Sequence, residues 1–184
     1  MNDSADEAAL VEQAKRDPEA FGLLYERYVD RIYNYVYYRT GNHHDAEDLT
    51  ARVFYQAMHH LSGYVQRGAP FSSWLYRIAH NLVANWYRDQ SRRQVVSLDR
   101  LASVARQWEG SSLESAAQGE QRAALLTAIR RLPADRQQLL ILKFVQRLPN
   151  VEIGQIMGRS EGAIKSLYHR ILLALRQDLD DASF

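Results

Sequence analysis

The side chains best placed to do chemistry lie near the C-terminus. Between Asn150 and Arg176 a short apolar-periodic segment, the turn Gly158-Arg159-Ser160 and a longer periodic segment form the pattern of a helix-turn-helix. Ile153, Ile156, Ile164, Leu167, Ile171 and Leu175 form one packing stripe. The opposite face carries Gly162, Lys165, Ser166 and His169, with Arg170 at its flank. Lysine and arginine reach phosphates or guanine edges, and serine and histidine bond to base edges. A glycine early in the helix permits close backbone approach, and a helix N-terminus attracts phosphate. That chemistry is recognition of duplex DNA rather than the making or breaking of bonds. A solvated outer face of an ordinary helical hairpin has a similar composition, and spacing alone leaves this alternative open.

Other chemistry finds little support. His43, His44, Asp45, Glu47, His59 and His60 are near neighbours in sequence, but no HExxH pattern is present, and adjacent helical histidines point to different faces. Cysteine is absent, which excludes disulfides, thiolate zinc sites and cysteine nucleophiles and fits a reducing compartment. There is no Gly-rich phosphate loop and no nucleophile motif. No catalytic residue, metal or cofactor is expected, and the chain is read as a non-enzyme.

The elements that must carry these residues are all helical. Asp17-Pro18 is an N-cap followed by proline at the first helical position. The apolar series Phe21, Leu24, Tyr25, Tyr28, Ile32, Tyr35, Val36 predicts a helix ending near Gly41. A second helix is predicted from about His44 to Leu61, and a loop over 63–70. A third, capped by Ser72 or Ser73, runs to about Gln90, with Trp74, Leu75, Ile78, Leu82 and Trp86 inside. Tyr87 and Tyr168 are read as packing residues. Periodicity then lapses before helices over about 113–131, 134–146, 151–157 (capped by Asn150) and from after the Gly158-Arg159-Ser160 turn, with Ser160 as cap, to about 179. The fold class is therefore all-α, two small helical domains joined by a flexible linker, with bounds 1–92, 93–114 and 115–184. At 46% hydrophobic residues the chain can build packed cores.

Charge is unevenly spread. Residues 1–50 hold eleven acids against five bases, whereas 51–100 hold seven arginines against two aspartates. An acidic first part and a basic second part suggest two different contact surfaces. The acidic, polar start lacks a signal-peptide pattern, and no run suggests a membrane span. No membrane insertion and a cytoplasmic location are expected.

Several ordered motifs carry a family resemblance. Phe21, Leu24-Tyr25 and Tyr28, then Asp45-Ala46-Glu47-Asp48-Leu49-Thr50 with Val53-Phe54, then Pro70-Phe71, Trp74-Leu75-Tyr76-Arg77-Ile78-Ala79 and Asn81, resemble conserved region two of bacterial RNA polymerase sigma factors. Leu132-Pro133 with Glu152-Ile153, Ile156-Met157-Gly158, Ser160 and Gly162-Ala163-Ile164-Lys165-Ser166 resemble region four. Two regions with no third between them resemble the extracytoplasmic function (ECF) group, over residues 18–93 and 115–177. The resemblance implies a factor that binds core RNA polymerase, recognises the minus-thirty-five and minus-ten promoter elements, and promotes melting and initiation.

It also implies roles for residues. Asp45, Glu47, Asp48 and Gln56 would meet the polymerase clamp helices, although acids in a first helical turn also offset the helix dipole. The loop with Tyr64 and Arg67 would receive an unpaired base, and Arg77, Asn81, Asn85 and Arg88 would track the single strand. Gly162, Lys165, Ser166, His169 and Arg170 would read the upstream duplex. The implied partners are core RNA polymerase (clamp helices and flap), promoter DNA as duplex and single strand, and an anti-sigma factor. The chain departs from the family pattern at Leu167 and Leu172, where arginine is frequent, and at Ala84-Asn85, where aspartate is common. A stand-alone helix-turn-helix regulator is the competing interpretation, but it has no need of the motifs around Asp45–Phe54 and Pro70–Asn81.

Overall fold

The structure, a computed structural model, describes residues 3–66, 68–89 and 116–181. Every regular element among them is helical: α1 (Asp3–Ala14), α2 (Pro18–Thr40), α3 (His43–His60), α4 (Phe71–Asp89), α5 (Ala116–Arg131), α6 (Ala134–Leu140), α7 (Asn150–Met157) and α8 (Glu161–Asp181). A 3-10 turn follows α3 at Leu61–Gly63, and α6 continues as a π turn over Ile141–Val145. The stretch expected as a linker, 93–114, lies outside the described residues.

The first module is a bundle. Helix α2 starts where Asp17 accepts from the Glu19 amide at 2.9 Å, with Pro18 in the first turn. It ends at Gly41, whose φ of 67° lets its amide bond back to the Tyr37 carbonyl. That left-handed backbone is costly for any residue carrying a Cβ. Asn42 caps α3 by accepting from the Asp45 amide at 3.1 Å. Leu24, Ile32, Tyr35 and Val36 of α2, Ala46, Leu49 and Val53 of α3, and Leu75, Tyr76 and Ala79 of α4 are buried together.

Helix α1 was not anticipated from the acidic, polar start. It buries Val11 and Ala14 and packs on α2, with a lighter contact on α4. The start of α4 also differs from expectation. Ser72 and Ser73 do not cap it; both lie inside the helix and are buried. Helix α4 begins one residue after Pro70, whose side chain has no acceptor, and the amide of Phe71 donates to Glu7 Oε1 at 2.8 Å.

In the second module Gln137 meets carbonyls at and just beyond the end of α5, of which that of Ile129 also accepts from the Leu132 amide at 3.2 Å. Gln137 Nε2 donates to the carbonyls of Ile129, Arg130 and Leu132 at 3.1, 3.1 and 2.9 Å. Such groups have no partner within their own helix. Asn150, expected as a cap, is instead the first residue of α7, and its Oδ1 accepts from Lys143 Nζ at 2.9 Å. Gly158, at φ 66°, closes α7 on the Gly154 carbonyl, and Ser160 Oγ caps α8 by accepting from the Ala163 amide at 3.2 Å.

The two modules pack against each other through α4 and α7. Hydrogen bonds among the described residues cross between them. Tyr76 OH donates to Gln146 Oε1 at 2.6 Å, Gln138 Nε2 to Tyr35 OH at 3.3 Å, and Arg39 Nη1 to the Ala134 carbonyl at 3.3 Å. Tyr76 is fully buried, and this burial pushes its hydroxyl up to about 12.

Candidate nucleic-acid and polymerase interface

Helix α8 presents the expected stripe. Gly162, Lys165, Ser166, His169 and Arg170 are all exposed, while Ile164, Leu167, Ile171 and Leu175 are buried against α7, α6 and α5. A Cβ added at Gly162 would meet nothing within 4 Å, so the backbone there is open to a ligand. Lys165 Nζ rests on Glu161 Oε1 at 2.7 Å, and Arg170 Nε on the Ser166 carbonyl at 3.4 Å. Exposed pairs of this kind are worth at most ~1 kcal/mol, so both cations are readily exchanged for phosphate. Leu172 is 45% exposed on the same helix.

A second stripe runs along α4. Arg77, Asn81 and Asn85 are exposed at four-residue spacing, and Arg88, one turn further, bonds to Asn85 Oδ1. At the start of this stripe lies a cavity of about 350 Å³ walled by Tyr64, Val65, Pro70, Trp74 and Arg77. The Tyr64 ring sits 4.7 Å from that of Trp74 and 5.5 Å from that of Phe71. Trp74, read above as core, is only half-buried, and its ring forms part of the cavity wall. Arg67 lies outside the described residues.

Residues of the second module lie beside this stripe. Gln155 of α7 lines the cavity beside Trp74 and Arg77. A larger cleft of about 920 Å³ has Asn81, Asn85 and Arg88 on one side and Ala134, Asp135 and Arg159 on the other. Arg39 and His80 also line it. Arg39 is buried, stacked 5.8 Å from the Tyr87 ring centre, and its backbone carbonyl accepts from the Tyr87 hydroxyl. Burial, and then the Arg39 charge, hold His80 below the ordinary imidazole range.

The acidic cluster of α3 divides. Glu47 and Asp48 are exposed, and Asp48 stands 3.8 Å from the exposed Arg52. Asp45 is half-buried and accepts from Trp86 Nε1 at 3.3 Å, which orients it toward its own bundle. Gln56 is half-buried. Two large residues that the sequence analysis did not single out, Tyr55 and Met58, are 61% and 50% exposed on the same helix. The spacing of Asp48, Arg52, Tyr55 and His59 at four, three and four residues was the signal that could have found Tyr55. Among the histidines, His43 Nδ1 lies 2.5 Å from Tyr33 OH, and its ring packs on Tyr37 at 4.5 Å, a packing role.

A family model described as Sigma-70 region 2 matches residues 24–93, and one described as Sigma-70, region 4 matches residues 122–175. The chain is 38% identical over 181 residues to the ECF RNA polymerase sigma factor BldN of Streptomyces coelicolor, an alignment covering 98% of this chain and 68% of that protein. It is 30% identical to the ECF RNA polymerase sigma factor SigW of Bacillus subtilis, covering 93% and 95%. Among solved structures it shares its fold with CnrH in complex with the cytosolic domain of CnrY. That match has 21% identity and a TM-score of 0.66, over 95% of this chain and 97% of that one.

Proposed function

We propose a division of labour among the surfaces above from the premise that the chain belongs to the ECF group of RNA polymerase sigma factors. As a member it binds core RNA polymerase, recognises the minus-thirty-five and minus-ten elements and promotes promoter melting and initiation. It is not an enzyme; the polymerase makes the phosphodiester bonds.

The observation that carries the residue-level proposal is the cavity between Tyr64, Trp74 and Arg77, continuous with the α4 stripe. Two aromatic rings and an arginine around a base-sized cavity suit an unpaired base, which stacks on aromatics while its phosphate is held by the cation. Asn81, Asn85 and Arg88, with Arg67 of the loop, then follow the strand toward the end of α4. Extracting a base costs a few kcal/mol, and these contacts offset it only when the strand is single. On α8, Lys165 and Arg170 would hold phosphates, Ser166 and His169 would read base edges, and Gly162 would let the helix start lie close to the backbone.

On α3, Glu47 and Asp48 form the charged part of the polymerase-docking face, with Gln56 at its edge and Tyr55 and Met58 as its apolar part. Asp45 belongs to this face through its hold on Trp86 more than through its own charge. The domain bounds 1–92, 93–114 and 115–184 are part of the same proposal. In the free chain Gln155 lines the same cavity as Tyr64, Trp74 and Arg77, and Asp135 and Arg159 line the same cleft as Asn81, Asn85 and Arg88, so the second module narrows the path of the strand. Work in the cytoplasm and control by an anti-sigma factor that competes for these faces complete the picture.

The test is a pull-down of core RNA polymerase followed by run-off transcription with start-site mapping. Stoichiometric holoenzyme and factor-dependent starts are expected. Asp48→Arg should weaken core binding with helicity intact. A chain that binds promoter duplex alone and never joins the polymerase would be a stand-alone regulator instead.

A further inference from the structure

We propose that Glu7, on the N-terminal helix α1, is a positioning residue for the base-receiving cavity. It holds the first turn of α4, and through it the aromatic wall of that cavity. This rests on the assignment of the cavity to an unpaired promoter base. Glu7 lies outside the Sigma-70 region 2 model, which begins at residue 24.

The case starts from an unmet donor. The first amides of a helix have no partner in their own helix, and a side chain just before the helix ordinarily accepts from them. Helix α4 follows Pro70, which has no such side chain, and Ser72 and Ser73 are buried within the helix. The acceptor arrives from 64 residues away: Glu7 Oε1 takes the Phe71 amide at 2.8 Å. The second oxygen, Oε2, accepts from the Tyr28 hydroxyl of α2. With both oxygens engaged the carboxylate cannot swing, and its charge sits at the positive end of a 19-residue helix.

Phe71 transmits the position. Its side chain is buried, and its ring lies 5.5 Å from Tyr64, 5.4 Å from Trp74 and 5.9 Å from Tyr28. Tyr64 and Trp74 are walls of the cavity, and Pro70 is its rim. A shift of Phe71 therefore moves two walls and the rim together. The Glu7 charge also reaches the cavity wall: after burial, it is the next cause that raises the Tyr64 hydroxyl above its ordinary value.

The experiment uses holoenzyme and the non-template strand of a promoter mapped by run-off transcription with this chain. The strand carries 2-aminopurine at the expelled base. Binding of the upstream duplex and of core polymerase is measured in parallel. Loss of a helix cap is worth ~1 kcal/mol, so Glu7→Ala should weaken strand affinity roughly five-fold and dim the base-expulsion signal. Duplex and core affinities should stay unchanged. Glu7→Gln keeps an acceptor for the Phe71 amide and should restore most of the loss. Tyr28→Phe frees one carboxylate oxygen and should weaken strand binding in the same direction by a smaller factor; it keeps the test open if Glu7→Ala does not fold. Wild-type strand affinity in both Glu7→Ala and Tyr28→Phe, or equal losses for strand, duplex and core, would overturn the positioning role. Arg77→Ala separates the two levels. If it weakens strand binding while the Glu7 and Tyr28 variants do not, only the positioning role fails. If Arg77→Ala is also without effect, the cavity does not take a base.

Discussion

Gly154 lies inside α7 and is buried, and a side chain there has nowhere to go. A Cβ built on it would sit 2.6 Å from the Arg159 carbonyl oxygen and 3.5 Å from the Ser160 carbonyl carbon. Ordinary carbon–oxygen contacts between backbone groups begin near ~3.3 Å, so the turn would have to open by roughly 0.7 Å. The same turn is held by the Gly154 carbonyl, which accepts from the amides of Gly158 and of Arg159, the latter at 2.8 Å. Two effects oppose each other in Gly154→Ala. Alanine favours the helix by ~1 kcal/mol. Overpacking against backbone costs ~1–3 kcal/mol, and a rigid two-bond turn lies at the upper end of that range. The net expectation is destabilisation by about 2 kcal/mol, a fall in melting temperature of roughly 4–8 °C for a chain of this size. Thermal unfolding followed by circular dichroism measures it. Gly162→Ala is the internal control, because a Cβ at Gly162 meets open space and should leave the melting temperature level or higher. Affinity of Gly154→Ala for upstream duplex, measured well below its melting point, should also fall, since the turn sets the angle between α7 and α8. A Gly154→Ala chain more stable than wild type by about 1 kcal/mol, as at an unobstructed helical glycine, would refute the steric reasoning.

Other outcomes follow from the same structure. Lys165→Ala and Arg170→Ala should each weaken upstream duplex binding and reduce the salt slope by about one if a phosphate contact is lost, as read by titration at several salt concentrations. Gln146→Ala removes the partner of Tyr76 OH across the module interface and should raise the affinity of the free chain for single-stranded minus-ten DNA, measured by fluorescence anisotropy. His80 is held below its ordinary value of 6.5, so its contribution to stability is complete above that value, where both folded and unfolded chains are neutral. As pH falls below it, the unfolded chain takes up a proton that the folded chain refuses, and stability drops until the folded value is reached. Melting temperature against pH should show this decline, and His80→Gln should flatten it.

Local patterns carried much of this protein. The period of apolar residues, Asp17-Pro18, Gly41 and Gly158 identify α2, α3 and α8 because helix formation, capping and amphipathic packing are decided within a few residues. For the same reason the exposed set Gly162, Lys165, Ser166, His169 and Arg170 could be read off the helical wheel. The same logic misplaced the caps at Ser72, Ser73 and Asn150, where a polar residue near a helix start matched the pattern but another group met the amide or the chain turned earlier.

What the amino-acid order determined by itself was therefore the helices, the polar faces they display and, through the motifs they carry, the family. Tertiary structure alone decided that Glu7 caps α4, that Asp45 turns inward to Trp86, that Trp74 walls a cavity and that Gln155 lines it too. The Glu7 and Asp45 contacts join residues at least 41 positions apart and Gln155 comes from the other module, and a periodicity of three or four residues holds no information about such meetings. They arise only when several helices bury their faces at once and side-chain groups left over must find partners in whatever element has come to lie beside them.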